Sequence, residues 1–381
     1  MEAAGLDRFR IGLVAGIGSA LAFFVQPVLG RLSDRLDARR PFICGTAFAA
    51  GLAYLAFPYT NGLVPFLLLS AVGATGTGYL QTAGGVLVGR MVQASAGGAA
   101  YANLRVWGSV GYIVTSLGSG WLVGSRATGR EGLNPVFTYG PLLFFVIALV
   151  AWALPDRKSA GDEPPAGKAP LPDNLKRFLL AYFLYIFALY GASGFLSIYM
   201  KSLGASGPWI TGMFAAGVVV EVLVMRWSGR FSDRYGRRPA LAVSFLLLPV
   251  RMLLYIPATG PGWMLAVQSL HGINFGIVGA VAVAFANDLA TERTRGHAQA
   301  RLFAAAGLAG AFSPVVFGAV AHRYGLHAMF AVSAGVAAFA AIVLIFGVDD
   351  SHPESHSLAA RVPGRLGAAL GWLDAPPRRA K

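Results

Sequence analysis

Apolar residues along this chain come in long runs, each closed by a short polar, glycine-containing or proline-containing break. The runs cover 11–30, 41–59, 63–89, 106–124, 136–154, 178–200, 208–228, 239–257, 263–289, 302–321 and 328–348. A helix rises about 1.5 Å per residue, so about 20 apolar residues cross a hydrocarbon layer about 30 Å thick. Each run has roughly that length. The pattern predicts an all-α integral membrane protein with eleven transmembrane helices.

Composition agrees: 56% of the 381 residues are hydrophobic and 13% are charged, which is not the make-up of an ordinary soluble domain. The net charge of +14 would suit nucleic acid, but the arrangement of the charges speaks for membrane lipid instead. Loops on one side, with the C-terminal tail, hold 23 of the 31 Lys and Arg; the other side holds Arg8, Arg10, Arg126, Arg130, Lys201 and Arg323. Cytoplasmic loops carry such an excess, so the richer side is assigned to the cytoplasm. The single cysteine, Cys44, lies in an apolar run and forms no internal disulfide.

Two basic segments recur. Gly30–Pro41 reads G-R-L-S-D-R-L-D-A-R-R-P and Gly229–Pro239 reads G-R-F-S-D-R-Y-G-R-R-P. They lie 199 positions apart (229 − 30), each between two apolar runs, as expected of a duplicated membrane protein with parallel halves. Each is expected to be a short cytoplasmic loop. Its Gly would allow close backbone approach, and its Asp would accept hydrogen bonds from a helix N-terminus. Sliding the first half by 199 positions sets residues 1–10 against the outer loop before 208–228, so run 178–200 has no counterpart upstream. The expected organisation is a first bundle at 1–154, a Pro-rich cytoplasmic linker at 155–177, a second bundle at 178–348 and a cytoplasmic tail at 349–381.

These segments resemble the loop signature of the major facilitator superfamily, G-x-L-[SA]-D-R-x-G-R-[RK]. The second copy fits well; the first has Asp37 and Ala38 where one Gly is expected. The resemblance implies two pseudo-symmetric helical bundles working by alternating access in the cytoplasmic membrane. It assigns gating to Gly30, Asp34, Arg35, Arg40, Gly229, Asp233, Arg234, Gly236, Arg237 and Arg238. It also implies twelve helices, so the chain is expected to lack the first. A misplaced start or a truncated gene stays open beside a genuine eleven-helix protein. Arg105-Val-Trp107-Gly-Ser-Val-Gly resembles a helix-five motif of a branch containing phenylpropionate permeases, lactose permease and nucleoside–proton symporters.

Glu221 is the only one of the 17 acidic residues deep in a run. A carboxylate there costs roughly 2.5 kcal/mol or more, so it should face a cavity or carry a proton. Arg251 is the only cation deep in a run and His271 the only histidine inside one. Arg251 and His271 are expected at similar depth, with Glu221 about one turn deeper. Each has a plain structural alternative: a satisfied buried histidine, or a Glu–Arg tie that only holds helices together. In the lactose-permease and phenylpropionate-permease branch the matching Glu and His are implied in substrate recognition and proton coupling. Asn274 stands where lactose permease has a second carboxylate.

The expected function is secondary transport of a small organic solute, proton-coupled, by a monomer. The alternatives are an exporter of hydrophobic compounds and a truncated, non-transporting pseudo-carrier. An enzyme is not expected, since no metal-ligand spacing, nucleophile motif or phosphate loop occurs, and neither a cofactor nor a metal site is implied. The topology is open to a direct check. In a Cys44-free variant, a single cysteine at position 160 is expected to be silent to an impermeant reagent added outside intact cells. Labelling there would invert the topology.

Overall fold

The computed structural model describes residues 1–36, 38–93, 98–124, 130–153, 171–291 and 294–351, with side chains throughout these except at 84–106 and 130–131. Among them regular structure is helical. In order the helices are α1 (Arg8–Arg35), α2 (Arg39–Ala56), α3 (Leu63–Gln93), α4 (Gly98–Val123), α5 (Arg130–Ala153), α6 (Asp173–Ser193), α7 (Leu196–Ser202), α8 (Gly207–Tyr235), α9 (Arg237–Leu254), α10 (Pro261–Asp288) and α11 (Arg295–Gly347).

Two of these differ from the apolar runs. Run 178–200 begins earlier, at Asp173, and is broken at Gly194 into α6 and α7, which together make one apolar span. α11 has 53 residues, which would be about 80 Å long if straight. Gly325, at φ 88° and ψ 170°, breaks it into two arms, a conformation that only glycine adopts without strain. With α6 and α7 joined and α11 divided, the helices match the eleven apolar runs one for one. Eight spans are long and apolar enough to cross a membrane among the described residues, α11 forming one of them. α9 falls outside that set because its 18 residues carry Arg237, Arg238 and Arg251.

The two basic segments are less loop than expected. α1 runs on through Gly30 to Arg35, and α8 through Gly229 to Tyr235. Nothing in G-R-x-S-D-R breaks a helix, and Pro41 and Pro239 lie in the first turn of the next one, where a missing N–H is tolerated. The second turn is the single residue Gly236, at φ 101°.

The chain forms two compact units. The first comprises 1–163 with 197–212 and 310–323; the second comprises 164–196, 213–309 and 324–381. The expected linker lies outside the described residues up to position 170, and the expected tail does so from position 352.

In the first unit α2 packs between α3 and α5. Ala47 and Ala50 are fully buried, and Gly76 of α3 sits so close that an added Cβ would lie 2.6 Å from the Thr46 carbonyl oxygen. On its other side Cys44 Sγ donates to the Ala148 carbonyl of α5 at 3.2 Å. Phe57 stacks on Phe137 and meets Phe66 edge-on, with centroids 5.6 and 5.5 Å away. Small residues at helix crossings replace the hydrophobic driving force that lipid removes. Gly76→Val is therefore expected to cost about 1–3 kcal/mol through overpacking, read as a lower melting temperature in detergent. Gly111→Ala, where an added Cβ meets nothing within 4 Å, should leave it unchanged.

Candidate functional site

The second unit contains a seam in which α8 and α10 run almost in backbone contact. A Cβ added at Gly272 would lie 2.5 Å from the Glu221 backbone nitrogen, and one at Gly276 would lie 3.0 Å from the Glu221 carbonyl oxygen. A Cβ added to Gly217 would lie 3.4 Å from the His271 ring. Ser228 Oγ donates to the Gly276 carbonyl at 3.3 Å. The four-residue spacing of Gly272 and Gly276 puts both on one face of α10, which permits this approach. Half-buried Glu221 therefore lies between the levels of Gly272 and Gly276, deeper along the seam than His271.

α9 carries Arg251, whose side chain has no solvent exposure at all. One terminal nitrogen donates to Asn274 Oδ1 at 3.0 Å and lies 3.2 Å from His271 Nδ1. Arginine can only donate, so His271 Nδ1 accepts and the ring proton sits on Nε2. Arg251 Nε donates to the Tyr255 hydroxyl at 3.0 Å, and that hydroxyl donates to Gln268 Oε1 at 2.5 Å. The other terminal nitrogen is buried with no hydrogen-bond partner.

Behind Asn274 the network continues to α6. Asn274 Nδ2 donates to the Ser244 carbonyl at 2.8 Å, and Ser244 Oγ donates back to the Asn274 carbonyl at 3.0 Å. The single hydroxyl proton of Ser244 is then committed, so the Tyr185 hydroxyl, 2.8 Å away, is the donor to Ser244 Oγ. His271 stacks on Phe275 with ring centroids 5.6 Å apart.

Arg251, His271 and Asn274 are thus brought together, with the Glu221 backbone beside them across the seam. Tyr185, Ser244, Tyr255 and Gln268 were not singled out from the sequence. Two of them carried a usable signal: Tyr255 is four residues after Arg251, and Gln268 three before His271, each on the same helix face. Trp107 is largely exposed on α4, and the Arg105 side chain lies outside the described ones.

The sequence model of the MFS_1-like family matches residues 1–332. The chain belongs to the MFS_1-like family. It is similar to an uncharacterized MFS-type transporter of Mycobacterium tuberculosis, 26% identical over 369 residues, covering 89% of this chain and 84% of the relative. It is also similar to a probable 3-phenylpropionic acid transporter of Escherichia coli, 28% identical over 183 residues and 45% of each chain. The crystal structure of a variant of the nucleoside transporter NupG matches its fold with a TM-score of 0.76 at 14% identity, over 90% of this chain and 91% of that one. This MFS_1-like protein is a multi-pass integral membrane transporter, and its family is not enzymatic.

The signature segments of this MFS_1-like chain form ion pairs at helix ends. Asp34 accepts from Arg39 at 2.7 Å. Asp233 accepts from Arg237 at 2.5 Å, and the same arginine reaches Asp288 at the end of α10 at 3.1 Å. The acceptor at the α9 N-terminus is not Asp233, as expected, but Asp350, whose Oδ1 takes the Arg238 backbone N–H at 3.2 Å. Asp233 is drawn instead to the guanidinium four residues on, across the Gly236 turn, a charge-assisted contact stronger than a bond to a neutral amide. Buried Arg238 donates to the Ile345 carbonyl. Arg40 lies over the Trp152 ring at 5.0 Å and Arg234 over Tyr235 at 5.4 Å, while Arg35 is exposed.

The expected close approach at Gly30 and Gly229 is not found: an added Cβ would meet nothing within 4 Å at either. Both lie inside continuous helices whose glycine face has no neighbour at that level among the described residues.

Asn274 is the joint of the buried network. Asn274→Leu removes its bonds to Arg251 and Ser244 at near-equal volume and strands both partners. Each stranded buried group costs about 1–3 kcal/mol, so a clear drop in melting temperature in detergent is expected. An unchanged melting temperature would mean that the network contributes nothing to the bundle.

Proposed function

We propose that this chain moves a small organic solute across the cytoplasmic membrane by alternating access, with solute movement coupled to protons through Glu221. On this reading the chain works as a monomer surrounded by lipid, with the C-terminal tail in the cytoplasm. The observation that carries it is the α8–α10 seam. There the one acidic residue deep in an apolar run is held level with a His–Arg–Asn cluster in the middle of a membrane bundle. Ionisable groups at such a depth are costly and belong with ion or proton pathways.

Glu221, His271 and Arg251 divide the work. Glu221 holds or releases the proton. Arg251 and His271 supply donors to the solute, with Asn274 and Tyr255 fixing the guanidinium. Bound solute and bound proton then favour each other by one coupling free energy, as linkage requires. The pairs Asp233–Arg237 and, in the first copy, Asp34–Arg39 lie at helix ends, where they can form in one access state and break in the other, with exposed Arg35 beside the second. Buried Arg251 and His271 suit a polar solute better than a hydrophobic one, which sets the exporter reading second. The relatives named for nucleoside and aromatic-acid transport agree with a polar solute.

Glu221→Gln tests the coupling. In proteoliposomes given a pH gradient, with sugars, nucleosides and aromatic acids as the solute panel, this variant is expected to lose uphill accumulation. Downhill exchange should survive, because Gln stands in for the protonated acid. Undiminished proton-driven accumulation would leave Glu221 a structural residue.

A further inference from the structure

We propose that the solute is an organic anion whose carboxylate is held by Arg251 at the terminal nitrogen that has no partner within the protein. This rests on the same seam as the transport reading and goes further by naming the solute's charge.

A guanidinium offers five N–H donors. Nε is used by Tyr255, and one terminal nitrogen by Asn274 and His271. The second terminal nitrogen has no acceptor. Every partner that Arg251 does have is a neutral dipole: an amide oxygen, a phenol and the unprotonated nitrogen of an imidazole. No carboxylate forms an ion pair with it among the described residues.

Neutral dipoles orient a buried cation without cancelling its charge. The uncompensated remainder is what makes a buried ion expensive, and an arriving anion relieves it. Carboxylates fit a guanidinium edge with two donors, and such charge-assisted bonds are the strong ones. Tyr255, itself held by Gln268, keeps the guanidinium plane from turning, so the two N–H groups of the unpartnered nitrogen are pre-oriented.

His271 controls access. Arg251 is enclosed in this conformation, whereas His271 is half-buried, so the exposed side of the cluster is the imidazole and not the guanidinium. Rotation of His271 breaks one hydrogen bond and frees a second N–H of Arg251, beside the unpartnered nitrogen. Its Nε2–H is a second donor, and the Phe275 ring stacked against it offers an apolar plate for the body of the solute. An anion entering there arrives beside Glu221, and its charge favours a proton arriving with it. That supplies a physical source for the coupling.

The test uses the full chain in detergent, with benzoate and hexanoate as probes and benzamide and hexanamide as their uncharged counterparts. A ligand that binds only the folded state raises its melting temperature, by an amount that grows with the logarithm of its concentration once that exceeds Kd. Both carboxylates are expected to stabilise the wild type at millimolar concentration and the amides are not. Arg251→Gln should weaken the carboxylate response by about tenfold or more. Because that variant can fail to fold, Asn274→Asp carries the decision. It places an internal carboxylate on Arg251 at near-equal volume, gives up the bond to the Ser244 carbonyl, and should suppress the carboxylate response by a similar factor, its own cooperative melting transition showing that it is folded.

Equal stabilisation by amide and carboxylate, or no shift with any probe, would overturn the proposal. So would an Asn274→Asp protein that responds like the wild type. A carboxylate response lost in Asn274→Asp but unaccompanied by proton-driven uptake would uphold the anion site and remove the coupling assigned to Glu221. Proton-driven uptake of a neutral solute, with no carboxylate response, would do the reverse.

Discussion

Arg251 imposes the strictest demand on the second unit. A guanidinium with no solvent exposure, inside a bundle whose outer surface is lipid, cannot borrow water for its donors. Each N–H needs an acceptor from a neighbouring helix, and each acceptor needs its own remaining atoms satisfied. From that one requirement follow Asn274 and His271 on α10 and Tyr255 on α9, then Gln268, Ser244 and Tyr185 behind them. The result ties α6, α9 and α10 into one polar network. Such networks are strong when every member is satisfied, and here a single terminal nitrogen is not.

α8 is joined to this assembly differently. Along the middle of the seam it meets α10 through glycine contacts at Gly217, Gly272 and Gly276, which bring backbone close to backbone. Only towards its end does it acquire ion pairs, where Arg237 bridges Asp233 of α8 and Asp288 of α10. Close van der Waals packing tolerates small sliding better than a directional hydrogen-bond network does. Glu221 thus sits on a helix that meets α10 mainly through glycine packing and one hydrogen bond from Ser228, beside a cluster tied by side-chain hydrogen bonds. A residue that must change its proton occupancy while its surroundings stay ordered is well placed there.

The sequence was most legible where lipid is the solvent. Eleven apolar runs became eleven helical segments because hydrocarbon leaves the backbone no cheaper option. Rare charges were equally legible: Glu221, Arg251 and His271 stood out because ionisable groups in apolar runs are expensive, and the fold brings their segments together. What stayed hidden were partners that look ordinary in a membrane helix. Tyr185, Tyr255 and Ser244 could have faced lipid or packed anonymously, and only tertiary contact gives their hydroxyls a purpose. The basic segments were misjudged in the other direction. Gly30 and Gly229 suggested a loop and a close approach, yet a lone glycine costs a helix only about 1 kcal/mol. With no breaker beside them the helices simply continue. Asp350 was invisible as a cap because it comes from a distant segment taken to be tail.

The identity of residue 274 gives the site its character. A carboxylate at that place on α10 would lie within reach of the Arg251 nitrogen that Asn274 now occupies, and would neutralise it. The pair would then be complete, with little left to attract a solute. Asn274 instead supplies one acceptor to Arg251 while its amide nitrogen is anchored to Ser244, so it fixes the guanidinium and leaves the positive charge uncancelled. Holding a cation in place and neutralising it are separate tasks. In this bundle the protein performs the first with neutral dipoles and leaves the second open, which is the condition for an anion from outside the chain to complete the site.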